Sequence, residues 1–474
     1  MNTGKFDIGM VGLGVMGRNF VLNMAGQGFS VVGFDKDGDK IKALQEQAQG
    51  RDISGATNIQ EFVAALRPPR AAMMLVPAGA AVDSVIGDLV PHLEQGDLII
   101  DGGNSHFTDT NRRAKDLTGK GIHFLGVGIS GGESGARHGP SMMPGGPETA
   151  YERVRPVFEA AAAKVNGDPC VAYLGPGSAG HYVKMVHNGI EYGVMQLISE
   201  TYDLMKRGLG LENEAIHAAF DSWNRAELNS YLLEITAKIF TVKDDKTGND
   251  LIDMILDQAK QKGTGMWTSQ DAMDLGAPVP NIDIAVAMRQ MSAIKDERKT
   301  ASHKLAEQRR EIQADPKKFL KHLRAALYAG MIITYAQGLA QLSMASREYL
   351  YDLDLEAVAR IWRGGCIIRS ALLEEFRKAY KSQPDLANLL LDPQLGQAVI
   401  GRREDLQAVI SAAAESRIPA PGMMLALAYL EAYSSEWLPA NLIQAQRDFF
   451  GSHTYERIDE DGTFHTHWEA NHDI

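Results

Sequence analysis

The run HYVKMVHNGIEY, from His181 to Tyr192, carries a lysine, an amide and a carboxylate at spacings that a helix converts into a cluster. At about 100° per residue, Lys184, Asn188 and Glu191 fall within a narrow arc of one helix face, flanked by His181 and His187. Val183, Met185, Val186 and Ile190 point elsewhere, which predicts an amphipathic helix. A solvated face ordinarily carries interchangeable Lys, Glu, Gln and Ala. This arc offers a base candidate, an acid candidate and an amide, with Gly189 leaving room for something to approach. The spacing alone also fits an ordinary exposed stripe, so the surrounding elements must decide.

Those elements begin with an alternation of strand and helix. Apolar runs at 7–11, 30–34, 71–76, 98–101 and 122–127 read as strands, and 17–25 as a helix. Strands spaced by helices predict a parallel sheet covered on both faces, an α/β Rossmann-like domain. Gly12-Leu13-Gly14-Val15-Met16-Gly17 is a G-x-G-x-x-G run that follows the first strand and opens the first helix. The first glycine makes the tight turn, the second lets a pyrophosphate approach, and the third permits helix–strand packing. The phosphates then sit on a helix N-terminus, where free amides and the dipole favour anions. Asp35 ends the second strand, where a carboxylate accepts hydrogen bonds from ribose hydroxyls. A 2′-phosphate there would face Asp35 and Asp37 at a cost on the order of several kcal/mol, partly offset by Lys36. NAD is therefore favoured over NADP. The glycine-dense stretch 128–146 reads as a loop whose backbone approaches a ligand.

Near Gly175–Gly180 the period changes to helical and strand signals fade. We expect a dinucleotide-binding domain at 1–178, an all-α domain at 179–437 and an extended C-terminal tail at 438–474. Long helices should begin near His181 and Phe319, include 328–345, and be followed by one at 353–362. The charge-dense 295–310 reads as a solvated helix face. The tail loses helical period after about Phe450, and its aromatics Phe449, Phe450, Tyr455, Phe464 and Trp468 favour docking over disorder.

Composition narrows the partners. At 474 residues the chain is too long for one core. It is 45% hydrophobic and 23% charged, ordinary for a soluble protein. No apolar run is long enough to span a bilayer, and no secretory signal is apparent. Two cysteines, Cys170 and Cys366, make no disulfide framework, so a cytoplasmic protein with reduced thiols is expected. A net charge of −12 argues against nucleic acid and anionic membranes, while leaving room for an anionic small substrate.

With these motifs in view, the chain resembles the 6-phosphogluconate dehydrogenase family, the oxidative decarboxylases of the pentose phosphate pathway, over essentially its whole length. The resemblance rests on GLGVMG at Gly12, IIDGGNS at Ile99, GISGGESGARHGPSMMPGG at Gly128 and GHYVKMVHNGIEYG at Gly180. It continues through QKGTG at Gln261, WRGGCIIRS at Trp362 and LPANLIQAQRDFFGSHTYER at Leu438. It implies a nucleotide-binding domain, a large helical domain, and a homodimer in which each tail reaches into the partner's active site. It makes Lys184 the general base and Glu191 the general acid for 6-phosphogluconate. Removing the C3 hydroxyl proton requires a neutral lysine, and desolvation with nearby cations can bring its pKa to about 7–8. After CO₂ leaves, Glu191 would protonate C1 of the enediol.

The resemblance further implies that Asn188 holds the sugar, with Asn104, Ser130, Gly131, Gly132 and His187 around it. The phosphate falls to Tyr192, Lys262, Thr264 and Arg289, with Arg447 and His453 from the partner's tail, a local basic cluster. Gly12, Leu13, Gly14, Val15, Met16, Gly17, Asp35, Lys36, Asp37, Val76 and Asn104 would serve the cofactor. The chain departs from the family pattern at three places. Asp35-Lys36-Asp37 replaces Asn-Arg-Thr, whose Arg and Thr hold a 2′-phosphate, and Pro77 replaces a lysine in Val76-Pro77-Ala78-Gly79. Both changes favour NAD. Met266 stands where the family often has lysine, with no consequence evident from sequence.

His465, His467 and His472 suggest metal ligands by type, but no recognisable spacing completes a site, and none is expected. Cys366 reads as a core residue, and Trp362 as packing at a helix interface. Two other functions fit parts of the sequence. A shorter, non-decarboxylating β-hydroxyacid dehydrogenase would lack the tail with Arg447 and His453. A catalytically inactive dinucleotide-binding homologue would tolerate loss of Lys184 or Glu191.

Overall fold

Short, wholly buried apolar runs build the sheet that frames the N-terminal third. The computed structural model describes residues 5–305 and 310–468. In chain order come β1 (Ile8–Val11), α1 (Val15–Gly26), β2 (Val31–Phe34), α2 (Gly38–Gln47), β3 (Ile53–Gly55), α3 (Ile59–Ala65), β4 (Ala71–Met74) and α4 (Ala80–Leu89). They are followed by β5 (Leu98–Asp101), α5 (Phe107–Thr118), β6 (His123–Ser130), α6 (Gly132–His138), β7 (Ser141–Gly145) and α7 (Glu148–Ala161). The sheet order is β3-β2-β1-β4-β5-β6-β7. Every pairing is parallel except β7 on β6.

Alternation along each strand sorts side chains into two cores. Ile8, Met10, Met73 and Ile100 pack with Phe20 and Met24 of α1 and with Val154 and Phe158 of α7. Val11, Ala72, Met74 and Ile99 pack with Phe62 of α3, Val82 of α4 and Leu117 of α5. A period of two on strands and helices on both faces is the doubly wound, Rossmann-like arrangement. The strand order reverses between β1 and β4, so their carboxyl ends diverge into a crevice where such folds bind ligands.

The expectation of a glycine loop over 128–146 needs correction. The segment ends β6, forms α6 and becomes β7. Several of its glycines serve packing, although Gly131 and Gly132 border a cavity: a Cβ on Gly128 would lie 2.3 Å from Lys184 Cβ, and one on Gly145 would lie 2.3 Å from Gly180 N. Only bare strand backbone lets the next helix lie this close to the sheet. That helix, α8 (Ala179–Asp203), is 25 residues long.

α8 also departs from the expected amphipathic pattern, because it is buried on nearly every side. It packs on β6, β7 and the helices Thr264–Leu275 and Pro316–Glu348. The 33-residue helix Pro316–Glu348 takes Asp315 as N-cap, whose Oδ1 accepts from Lys318 N at 2.8 Å. It contains 328–345 and starts slightly before Phe319. The helix expected at 353–362 is shorter, Leu355–Ile361, capped by Asp354. The helix Lys295–Leu305 buries no residue, as a solvated charged face requires, and 306–309 lie outside the described residues.

The chain forms two compact units, Met1–Ala426 and Leu427–Ile474. Within the second, the helix Ala440–Gly451 is followed by a reversal in which Tyr455 and Phe464 exchange backbone hydrogen bonds at 2.8 Å. No described helix is long and apolar enough to cross a membrane.

Candidate active site

The dinucleotide motif forms a cradle at the end of β1. Gly12 has φ +92°, and a Cβ there would press to 2.6 Å from Leu75 O. A Cβ on Gly17 would lie 1.9 Å from Gly12 O, so α1 abuts the turn only because this residue is bare. Gly14 differs: a Cβ there would meet nothing within 4 Å. It caps α1 with no side-chain hydrogen bond, leaving the helix N-terminus open toward unfilled space. Free amides facing open space fit a pyrophosphate.

Beside this cradle lies a cavity of about 330 Å³ lined by Gly12, Gly14, Asp35, Lys36, Lys40, Val76, Pro77 and Asp88, among others. Asp35 Oδ2 accepts from Leu13 N at 2.8 Å and Oδ1 from Asp37 N at 3.0 Å, with Lys40 Nζ 3.4 Å away. Burial raises its pKa, but these donors outweigh burial and hold the carboxyl below its ordinary range. Lys36 pairs with Asp88 at 3.1 Å. Asp37 is a helix cap, accepting from Asp39 N at 3.0 Å. Lys40 was not expected here; its position on the first turns of α2 was the available signal.

A second cavity, about 580 Å³, opens on α8. It is lined by Lys184, Asn188, Glu191 and Tyr192 of α8, Asn104, Ser130, Gly131, Gly132, Lys262, Thr264, Arg289 and Met16. Lys260, Gln261, Ile129 and Ile367 line it as well and were not anticipated. Met16, expected at the cofactor, and Asn104, expected at both sugar and cofactor, lie on this second cavity. Leu13 is a buried core residue and Val15 is exposed.

α8 presents its polar arc inward. Lys184 Nζ donates to Asn188 Oδ1 at 2.7 Å and lies 3.3 Å from His187 Nδ1. His187 Nε2 stands 3.2 Å from Ser130 Oγ and 2.8 Å from Cys366 Sγ, and Trp362 meets its ring edge-on. Cys366 is therefore more than core filling, because its thiol touches the histidine beside Lys184. His181 belongs elsewhere: it lies 2.7 Å from Thr110 Oγ1 and 3.1 Å from the Asp101 carbonyl, tying α8 to the sheet.

Burial sets the proton affinities. It lowers the pKa of Lys184, against the opposing pull of Glu191. It raises that of Glu191, against Lys184 and Arg289. It holds His187 well below its ordinary range, with Lys184 adding to the effect, and pushes the Cys366 thiol up to about 12. Burial thus draws the proton affinities of the amine and the carboxyl toward each other, with a neutral histidine and thiol around them.

Positive charge collects at the other side. Lys260, Lys262 and Arg289 join the N-terminus of the helix Thr264–Leu275, which follows Gly263 at φ +98° and has no side-chain cap. Arg289 stacks over Tyr192, 3.4 Å from the ring centroid. Met266 is partly buried against the cluster of Tyr192, Ala285 and Val286. Arg447 and His453 belong to the second unit. Among the described residues no group of three or more His, Cys, Asp or Glu is arranged to hold a metal, and His472 lies outside them.

Comparison with known proteins gives consistent matches. Residues 7–175 match the NAD binding domain of 6-phosphogluconate dehydrogenase, and residues 180–468 match its C-terminal domain. An NADP(+)-dependent, decarboxylating 6-phosphogluconate dehydrogenase of Bacillus subtilis is 50% identical over 98% of this chain and 99% of its own. The decarboxylating enzyme of Escherichia coli is 48% identical over the same shares. A solved Plasmodium falciparum 6-phosphogluconate dehydrogenase, described with its cofactor NADP+ and its substrate 6-phosphogluconate, superposes with a TM-score of 0.94. It is 43% identical and covers 97% of this chain and 100% of that one.

Proposed function

Because this chain belongs to the family of decarboxylating 6-phosphogluconate dehydrogenases, oxidoreductases that act on a CH–OH group, we propose that its α8 cavity oxidises and decarboxylates 6-phosphogluconate to ribulose 5-phosphate. The observation that carries this reading is the pairing of Lys184 and Glu191 in one cavity, with burial pushing their proton affinities toward each other. A bound nicotinamide dinucleotide supplies the hydride acceptor. Neutral Lys184 takes the C3 hydroxyl proton as hydride leaves C3. The protonated amine then polarises the new carbonyl while the C1 carboxylate departs as CO₂. Glu191 delivers a proton to the former C2 of the enediol, which becomes C1 of ribulose 5-phosphate. Asn188, oriented by Lys184, and Ser130, beside His187, hold the sugar hydroxyls.

The basic side, with Lys262, Thr264, Arg289 and Tyr192, suits the phosphate. In our reading it is completed in a homodimer by the partner's Arg447 and His453. The functional division follows the same logic: 1–178 holds the dinucleotide, 179–437 the sugar, and 438–474 serves the other subunit. The buried free thiols Cys170 and Cys366 fit a cytoplasmic enzyme.

We also propose that NAD is preferred over NADP. The first cavity carries carboxylates at Asp35 and Asp88, each already paired with a lysine, and Pro77 where the family has a cation. A 2′-phosphate would have to compete for those lysines. Among the relatives is an NADP(+)-dependent enzyme. Steady-state assays with 6-phosphogluconate and each cofactor, with CO₂ measured in parallel, test both parts. Equal yields of reduced cofactor and CO₂ are expected. Reduced cofactor without CO₂ would mean a non-decarboxylating dehydrogenase, and no turnover an inactive homologue.

A further inference from the structure

The tail unit has a buried carboxylate at its centre that the proposed chemistry does not use. Asp448 is fully buried, although the faces around it expose Leu442, Ile443, Phe449 and Phe450. Its Oδ1 accepts from Thr454 N at 2.9 Å and lies 2.9 Å from His465 Nδ1. Its Oδ2 accepts from Thr466 N at 3.0 Å and from Trp468 Nε1 at 2.8 Å. Four partners around two oxygens match an ionised carboxylate, which only accepts. This group ties the helix Ala440–Gly451 to both strands of the reversal that follows it.

The segment it ties down is strained. Ser452 and Thr454 both have positive φ, 50° and 61°, and His453 is presented between them. A β-branched residue rarely adopts that conformation unless its surroundings impose it. Thr454 is gripped on both sides: Asp448 takes its amide, and Gln444 Nε2 donates to its carbonyl at 2.6 Å. Gln444 Oε1 in turn accepts from Arg447 Nη1 at 3.1 Å. The His453 ring packs on Gly451, where a Cβ would come within 2.6 Å of Nε2. One network thus sets the guanidinium and the imidazole together.

We propose that Asp448 and Gln444 are positioning residues, which hold His453 and Arg447 in a fixed pair suited to a sugar phosphate. This rests on the reading that the two residues complete the partner subunit's phosphate site. An anion bound by two cationic or donor groups gains most when their spacing is set before it arrives. The exposed tail has little core of its own to set that spacing, and the carboxylate supplies it.

The test uses the full-length dimer. Asp448→Asn keeps the shape but turns an amide toward N–H groups, and should raise KM for 6-phosphogluconate by about tenfold or more, as loss of charged hydrogen bonds predicts. kcat, KM for the cofactor and the dimer in sedimentation should stay near wild type. Adding Thr454→Gly, which accepts positive φ without strain, should recover at least part of the lost KM. Should Asp448→Asn fail to fold, Gln444→Ala, which leaves the carboxylate network intact, should still raise KM severalfold by the same argument. Arg447→Ala separates the two levels. If it leaves KM unchanged, the underlying reading of the tail fails. If it raises KM while Asp448→Asn and Gln444→Ala do not, positioning is refuted. A loss of kcat and of the dimer together in Asp448→Asn, or no recovery with Thr454→Gly, would also overturn the proposal.

Discussion

Lys184 and Glu191 stand two turns apart on α8, line one cavity, and are driven by burial in opposite directions. The two ionic forms and the two neutral forms of this pair bind the same number of protons. Burial therefore leaves the number of protons on the pair unchanged and narrows the gap between the two forms. A narrower gap brings within reach a free base where hydride is to leave and a loaded acid where carbon is to be protonated.

Glu191→Gln should shift the acid limb of the kcat/KM pH profile to lower pH. The groups that face Lys184 are Glu191, the thiol of Cys366 and the neutral His187, and of these Glu191 is the foremost one raising its pKa. Removing that carboxyl leaves burial less opposed, so the amine loses its proton at lower pH. kcat should fall by about 10²-fold or more, as expected for loss of a general acid. A pH titration of initial rates checks both, and an acid limb that stays put or rises would contradict the coupling.

Two glycine substitutions should separate stability from cofactor binding. Gly128→Ala drives a Cβ into Lys184 Cβ at 2.3 Å, so it should destabilise the fold by about 1–3 kcal/mol and cut kcat/KM by displacing the lysine. Gly14→Ala meets nothing within 4 Å. It should leave the melting temperature unchanged and raise the cofactor KM by about tenfold, since the methyl intrudes where a pyrophosphate would sit. Thermal melts and kinetics on both variants decide it; a stability loss in Gly14→Ala would mean that the cradle is structural.

Cofactor choice should follow the charge in the first cavity. kcat/KM is expected to be higher with NAD than with NADP. Pro77→Lys should raise the NADP value by about tenfold, by supplying a cation not already committed to a carboxylate. A clear NADP preference in the wild type would refute this assignment of Asp35 and Pro77.

The sheet and the cradle were legible because strands and glycine turns are local: GLGVMG after an apolar run constrains its own geometry. α8 was legible in composition but not in environment. Its period suggested a solvated stripe on one side, whereas small residues such as Gly128, Gly145 and Gly180 allow the sheet to cover that side. Burial of this kind depends on partners distant in sequence. The same reason hides Cys366, whose type suggests core packing and whose contact with His187 spans 179 positions. The glycine density at 128–146 has two causes that look alike in sequence: Gly131 and Gly132 line the α8 cavity, whereas Gly128 and Gly145 let a helix cross the sheet. Lys260 and Gln261 were overlooked because no spacing marks residues that reach a cavity from an irregular segment.

The division of labour between Lys184 and Glu191 is tested most directly by single-turnover reaction of 6-phosphogluconate with excess enzyme and cofactor. Reduced cofactor, CO₂ and ribulose 5-phosphate are measured in time. Wild-type enzyme should release the three in equal amounts. Glu191→Gln should form reduced cofactor and CO₂ ahead of the ketose, and Lys184→Met should form none at a comparable rate. Reduced cofactor and CO₂ formed by Lys184→Met at close to the wild-type rate would contradict the account.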